Sequence, residues 1–352
     1  MNRNDKLLNN NISDKELNNI SYVCSKYSIT LKEAYRVRSA YKIIDMQNNS
    51  YCLKRMKSGK KKILNSYKLT EDLLKSGFKN TPRYLITKKG NVYISHKGYL
   101  FLMTDWVEGR ECDFSNIEEA KEGIKLLAKF HLCAEEINTK QYKLKNCLKN
   151  WPDIYKECIN DMISYKHIID KKILKTEFDY LYFDNIELFI ERALNSLNLL
   201  NISSYYKLSK EAEKKKPICH RSFYYQNVIK KDEEYFLIDL NRIIIDLRVN
   251  DLGRFIRRLM HKKDYSWDFK KAEELIISYN SIYPLNKNEL EIMLSLIIFP
   301  HKFWKLGKKR YKKHKNWSEI KYKKKLDNIL ASTEGQDKFY EEYIYFLNKY
   351  NN

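Results

Sequence analysis

The stretch CHRSFYYQNVI (219–229) runs directly into KKDEEYFLIDLNR (230–242), and together they decide how the rest of the chain is read. Two short apolar runs, NVIKK and YFLIDL, are separated by DEE, which reads as a pair of strands joined by a tight turn. Asn227 opens the first run and Asp239 closes the second. Both residue types also favour turns, so the pattern by itself leaves a turn role and a site role open.

Outward from this hairpin the two halves of the chain differ. Residues 13–28 begin with the N-cap candidate Ser13 and place Leu17, Ile20, Val23 and Cys24 at helical spacing. AYRVRSAYKIIDM (34–46), the turn QNN and SYCLKRM (50–56) predict strands, and KKKILNSYKLTEDLLKSGF (60–78) predicts a helix stopped at Gly77. PRYLITKK, VYISHK and YLFLMTDWV (82–107) return to strand, with Gly109 breaking the pattern. From NIEEAKEGIKLLAKFH (116–131) onward the period is helical, including 184–200, up to SKEAEKKKP (209–217), which reads as a polar connector. Alternating βαβ units are absent, so the sheet is expected to be antiparallel.

The expectation is an α+β protein with an N-terminal part (1–107) made of a leading helix, a five-stranded antiparallel sheet and one packed helix. The remainder (108–352) is expected to be mainly helical and to carry the segment 219–242. A hinge is expected near Asp105 to Gly109.

Composition bounds the function. The 352 residues are 43% hydrophobic, 32% charged and 14% aromatic, which excludes a disordered chain. Only 9 Gly and 5 Pro are present, which favours helix over strand. The net charge of +22 would suit an anionic partner, but Lys, Asn, Ile and Tyr are abundant together, as in AT-rich coding, so much of the lysine reads as solvated surface. Seven cysteines are scattered singly without CxxC or zinc spacing, which predicts reduced thiols. The N-terminal stretch lacks an apolar signal core and no window approaches a membrane span, so cytoplasmic synthesis is expected.

HRSFYYQN followed by LIDLNR resembles the catalytic segment of aminoglycoside-phosphotransferase-like and choline-kinase-like proteins. Their pattern is His, any residue, Asp, four residues, Asn, then a later Asp after two apolar residues. More narrowly, YCLKRM, GFKNTPRYL, HRSFYYQN, LIDLNRIIIDLRVNDLGRFIRR and FPHKFWK resemble the CotS family of bacterial spore coat proteins, over roughly residues 30–330. The resemblance implies a bilobal protein kinase-like fold. It puts Lys54 on nucleotide phosphates, with Glu71 as candidate partner; Asp72 lies beside it and the helical phase leaves the choice open. It counts Asp105 and Val107 among the nucleotide-holding positions. It makes Asn227 and Asp239 ligands of Mg²⁺ beside ATP, a donor set that suits a hard hexacoordinate cation. His220 would support the loop, and Asp251 would cap the helix after it.

Two departures stand out. Ser222 falls where the pattern has the aspartate that accepts the substrate's proton, and a hydroxyl cannot act as a base near neutral pH. RVRSAYKI (36–43), where a turn should cover the phosphates, contains no glycine, although glycine there lets backbone N–H groups approach phosphate. Together they imply a degraded phosphotransferase site, and the CotS resemblance implies a coat structural or assembly protein acting with other coat proteins. Its alternatives are an active ATP-dependent small-molecule or protein kinase, and a basic nucleic-acid-binding protein. The last rests on FPHKFWKLGKKRYKKHKNW (299–317), where Lys and Arg interleave with Trp304, Tyr311 and Trp317, although Phe303, Trp304 and Leu306 also suit a helix core. The 28 tyrosines would suit oxidative cross-linking in a coat.

Overall fold

A computed structural model describes residues 12–57 and 59–350. The stretch 1–11, part of the region over which no export signal is expected, lies outside the described residues. The chain divides into two compact units. One gathers the chain up to Phe114 with Glu118–Lys145 and His220–Ile244; the other holds Ser115–Ile117, Asn146–Cys219 and Ile245 onward.

The first unit is built on five antiparallel strands: β1 (Leu31–Val37), β2 (Ala40–Asp45), β3 (Ser50–Met56), β4 (Tyr93–His96) and β5 (Tyr99–Asp105), in the order β1-β2-β3-β5-β4. The strand period of two sorts β5 onto two faces. Phe101 and Met103 pack with Ile20, Val23 and Cys24 of helix α1 (Asp14–Lys26). Leu100 and Leu102 pack with Ile63 of helix α2 (Lys60–Lys75). Lys54 lies opposite Leu102 in the register, so it shares the α2 face of the sheet.

Two strand expectations are corrected. The run 34–46 is split by a two-residue turn, Arg38–Ser39, because Arg38 takes a left-handed conformation with φ 55° that composition does not advertise. PRYLITKK (82–89) forms only a single bridge, Tyr84 to Thr104. The β4–β5 hairpin pairs residues 99–102, so only the last part of β5 is open on that edge. There Leu85 donates to the Met103 carbonyl and Asp105 to the Arg83 carbonyl.

Helix α3 (Ile117–Glu135) follows a short strand, β6 (Arg110–Glu111), which pairs with the late hairpin Val228–Lys231 and Glu234–Leu237. Gly109 cannot be replaced here. Its φ is 128°, and a Cβ would stand 2.2 Å from the Lys230 carbonyl oxygen.

The second unit is helical, with long helices at Trp151–Asp170, Glu177–Ile202, Val249–Met260 and Lys287–Ile298. Gly253 lets the helix Val249–Met260 approach Met293 and Leu296 closely. The polar connector expected at 209–217 is instead the helix Tyr205–Lys215. Tyr205 and Ser209, one turn apart, are its buried positions, and left-handed Lys216 before Pro217 ends it. No helix among the described residues is long and apolar enough to cross a membrane.

Candidate functional site

The loop between His220 and the late hairpin is held by its own side chains. The Ser222 N–H donates to His220 Nδ1 at 3.3 Å, and the Asn227 amide nitrogen donates to the Ser222 carbonyl at 2.9 Å. His220 Nε2 faces the Ile238 carbonyl at 3.3 Å. With Nδ1 accepting, Nε2 carries the proton and donates to Ile238. His220 is fully buried and its ring is committed to the loop backbone, so it is not placed to take a proton from a substrate. Ser222 is itself buried, with a backbone fixed on both sides and no carboxylate at its position.

Asn227 precedes the first strand of the hairpin and Asp239 follows the second. The Val228–Leu237 pairing and the Ile238 N–H to Asn227 carbonyl bond of 2.9 Å bring their backbones together at the open end of the hairpin. Asp239 adopts a left-handed conformation, φ 63°, which aspartate tolerates better than most residues. Lys54 Nζ lies 2.7 Å from Asp239 Oδ1, and the Asn241 amide nitrogen donates to the same oxygen at 2.6 Å. Burial works to raise the Asp239 pKa, but the Lys54 charge and hydrogen bond, with Asn241, outweigh it and hold the carboxyl below the usual aspartate range.

The remaining oxygens suit a hard cation. Asn227 spends its amide nitrogen on the loop, which leaves its Oδ1 as a ligand, and Asp239 Oδ2 has no partner among the described residues. Two such oxygens would hold Mg²⁺ only together with nucleotide phosphates and water. The ion would supply charge neutralisation on those phosphates.

Lys54 forms its ion pair with Asp239 and none with Glu71 among the described residues. The residue of α2 that meets this network is Ser66. Its hydroxyl lies 3.1 Å from the Leu240 carbonyl, 3.0 Å from Asn241 Oδ1 and 2.8 Å from the Lys62 carbonyl. Glu71 lies five positions on, about 140° around the helix. Its neighbour Asp72 accepts from Gln141 at 2.7 Å and from the Tyr142 hydroxyl at 2.5 Å.

The two-residue turn Arg38–Ser39 stands where a phosphate-covering loop is expected. Arg38 binds both oxygens of Glu111 in β6, Nε to Oε1 at 2.7 Å and Nη2 to Oε2 at 2.8 Å. With the Gln226 amide turned so that its oxygen faces the guanidinium, Arg38 Nη1 donates to it at 2.7 Å. Lys42 of β2 pairs with Glu108 at 2.7 Å. The β1–β2 hairpin is thus clasped by side chains, Arg38 on Glu111 and Lys42 on Glu108.

At the end of β5, Asp105 is exposed and its Oδ2 accepts from the Arg83 N–H at 3.3 Å. Val107 is half-buried in the irregular stretch that follows, and neither its N–H nor its carbonyl is hydrogen-bonded among the described residues.

Residues 20–343 match the family described as Spore coat putative kinase YutH. The chain belongs to that family. It is similar to Spore coat protein S of Bacillus subtilis (strain 168), 25% identical over 258 residues that make up 73% of either chain. Among solved structures it resembles an aminoglycoside phosphotransferase from Alicyclobacillus acidocaldarius, with a TM-score of 0.84 at 18% identity, covering 93% of this chain and 96% of that one. A spectinomycin phosphotransferase in complex with ADP and spectinomycin superposes with a TM-score of 0.60 at 16% identity, covering 92% of this chain and 99% of that one. The fold is therefore the kinase-like fold of aminoglycoside phosphotransferases.

Within this spore coat family fold, two site residues escape the sequence pattern: Asn241 and Ser66. Asn241 stands two residues after Asp239, and Ser66 is a polar residue on the buried face of α2; those were the available signals. In the second unit, Asp251 is not the cap expected of it. It lies in the first turn of Val249–Met260, whose N-cap position is Arg248. The segment 299–317 divides. Phe303, Leu306 and Tyr311 are core, while Trp304 and Trp317 stay half-exposed under lysines.

Proposed function

We propose that the protein is a structural or assembly component of the spore coat whose phosphotransferase site is degraded. Its partners are other coat proteins and its place is the spore coat. The coat role is supported by the family and by the likeness to Spore coat protein S. The loss of catalysis is supported by one observation above others. Ser222 sits in an intact loop, fixed by His220 and Asn227, yet offers a hydroxyl where a proton acceptor is needed. The glycine-free Arg38 turn supports it further, because the Arg38 guanidinium is already committed to both oxygens of Glu111.

A second reading, an active ATP-dependent kinase, draws on the unpaired Asp239 Oδ2 and the open backbone of Val107, which suit a cation and a planar base. Thermal unfolding with and without ATP and Mg²⁺ separates the two. A ligand at a hundred times its Kd would stabilise by about 2.7 kcal/mol. With the degraded site ATP and Mg²⁺ bind weakly or not at all and give little or no shift; a clear rise that Asp239→Ala abolishes would overturn it. Absence of the chain from the coat fraction of purified spores would overturn the coat role.

A further inference from the structure

Around Trp317 the second unit gathers positive charge that its own carboxylates do not meet. The amines of Lys309, Lys321 and Lys325 lie 4.5, 4.8 and 5.5 Å from the centre of that one ring. Lys305 and Lys313 extend the group. The nearby carboxylates are engaged elsewhere: Asp161 pairs with Lys308 and Lys312, and Glu319 with Arg310. Among the described residues no carboxylate pairs with Lys305, Lys309, Lys313, Lys321 or Lys325. Partial burial first, and then the charges of Lys305, Lys325, Lys315 and Lys313, hold Lys309 below the ordinary lysine range. The group is therefore under mutual repulsion that a multivalent anion would relieve.

We propose that this face, with Lys309, Lys321 and Lys325 ringing Trp317 and Lys305 and Lys313 beside them, docks an acidic segment of a partner protein. The ring argues against nucleic acid. Stacking on a base needs an open aromatic ring, and three ammonium groups already lie within 5.5 Å of the centre of this one. Lysine supplies point charges that pair with carboxylates in many geometries, as a flexible Asp- and Glu-rich segment requires. Lys321 and Lys325 are one turn apart on the helix Glu319–Leu330 and Lys309 comes from the preceding π-helical turn, so the amines converge from two elements. This deepens the assembly reading and rests on it only for the partner being a protein.

The test is fluorescence anisotropy of the full chain with a labelled short polyglutamate peptide at two ionic strengths, with single-stranded oligothymidylate as a second probe. The peptide binds more weakly as salt rises. Lys309→Gln with Lys325→Gln weakens it by about five- to tenfold, whereas Lys207→Gln with Lys210→Gln, the same change in net charge on another helix, leaves it within about twofold. Equal losses in the two variants would overturn the site in favour of net charge alone. Tighter binding of the oligonucleotide, lost in the first variant, would overturn it in favour of nucleic acid. Thermal melts that match the parent keep a folding defect from imitating the result. The assay needs no coat, so its failure leaves the assembly reading intact, and absence of the chain from spore coats leaves a positive peptide result intact.

Discussion

Lys54 and Asp239 form a direct ion pair, Nζ to Oδ1 at 2.7 Å, with Asn241 donating to the same oxygen and Ser66 of α2 holding Asn241. The lysine that would hold nucleotide phosphates and the carboxylate that would hold their metal thus satisfy each other. That arrangement makes the network part of the fold's stability.

Removing the hydroxyl of Ser66 should therefore destabilise the first unit. Ser66 is fully buried and its hydroxyl lies within hydrogen-bonding reach of the Leu240 carbonyl and Asn241 Oδ1. Ser66→Ala should cost about 1–2 kcal/mol in urea unfolding. A change within error would mean that Asn241 and Asp239 are positioned without it.

The clasp of Arg38 on Glu111 should be measurable by a double-mutant cycle. Both side chains are partly exposed, so solvent and salt screen the pair, and a two-point Arg–carboxylate contact of this kind couples by about 0.5–1 kcal/mol. Arg38→Ala, Glu111→Ala and the double variant, compared by chemical denaturation at low and high salt, give that number. A coupling near zero at low salt would mean that the β1–β2 turn is not tied to β6.

What the sequence made legible follows from the range of the interactions involved. The sheet, its two covering helices and the late hairpin could be read because each rests on local periodicity, as with Ile20, Val23 and Cys24 on α1. The split at Arg38–Ser39 is placed within 36–43 only by the resemblance, because the turn uses neither glycine nor proline. The helix Tyr205–Lys215 was hidden because it buries little beyond Tyr205 and Ser209 under a charged surface. Lys54, Asn227 and Asp239 stand out as single residues in a pattern. The contact of Ser66 with Asn241 joins positions 175 residues apart, and no local signal reports it.

The second unit should lose stability as pH falls below the histidine range. Burial first, and then Arg257, Lys305, Arg254 and Arg258, push His301 down to about 2; burial, then Lys302 and Arg257, push His261 down to about 2. Both pKa values are depressed on folding from 6.5, so the unfolded chain binds protons that the folded one does not. The stability is present above 6.5 and is lost as pH falls below it. Each imidazole contributes a slope of up to about 1.4 kcal/mol per pH unit. His301→Gln should flatten the fall between about pH 6.5 and 5 relative to the parent; an unchanged slope would show that His301 is protonated in the fold.

The most direct test of the degraded site is single-turnover release of phosphate from ATP with Mg²⁺. It compares the parent, Ser222→Asp, and Ser222→Asp combined with Asp239→Ala. A positioned base supplies about 10²–10⁴-fold, only part of what transfer needs, and the clasped Arg38 turn is unchanged in all three proteins. The account predicts release at the background rate in each. A gain of about 10²-fold or more in Ser222→Asp that disappears with Asp239→Ala would contradict it, and Asp239-dependent turnover in the parent would contradict it more completely.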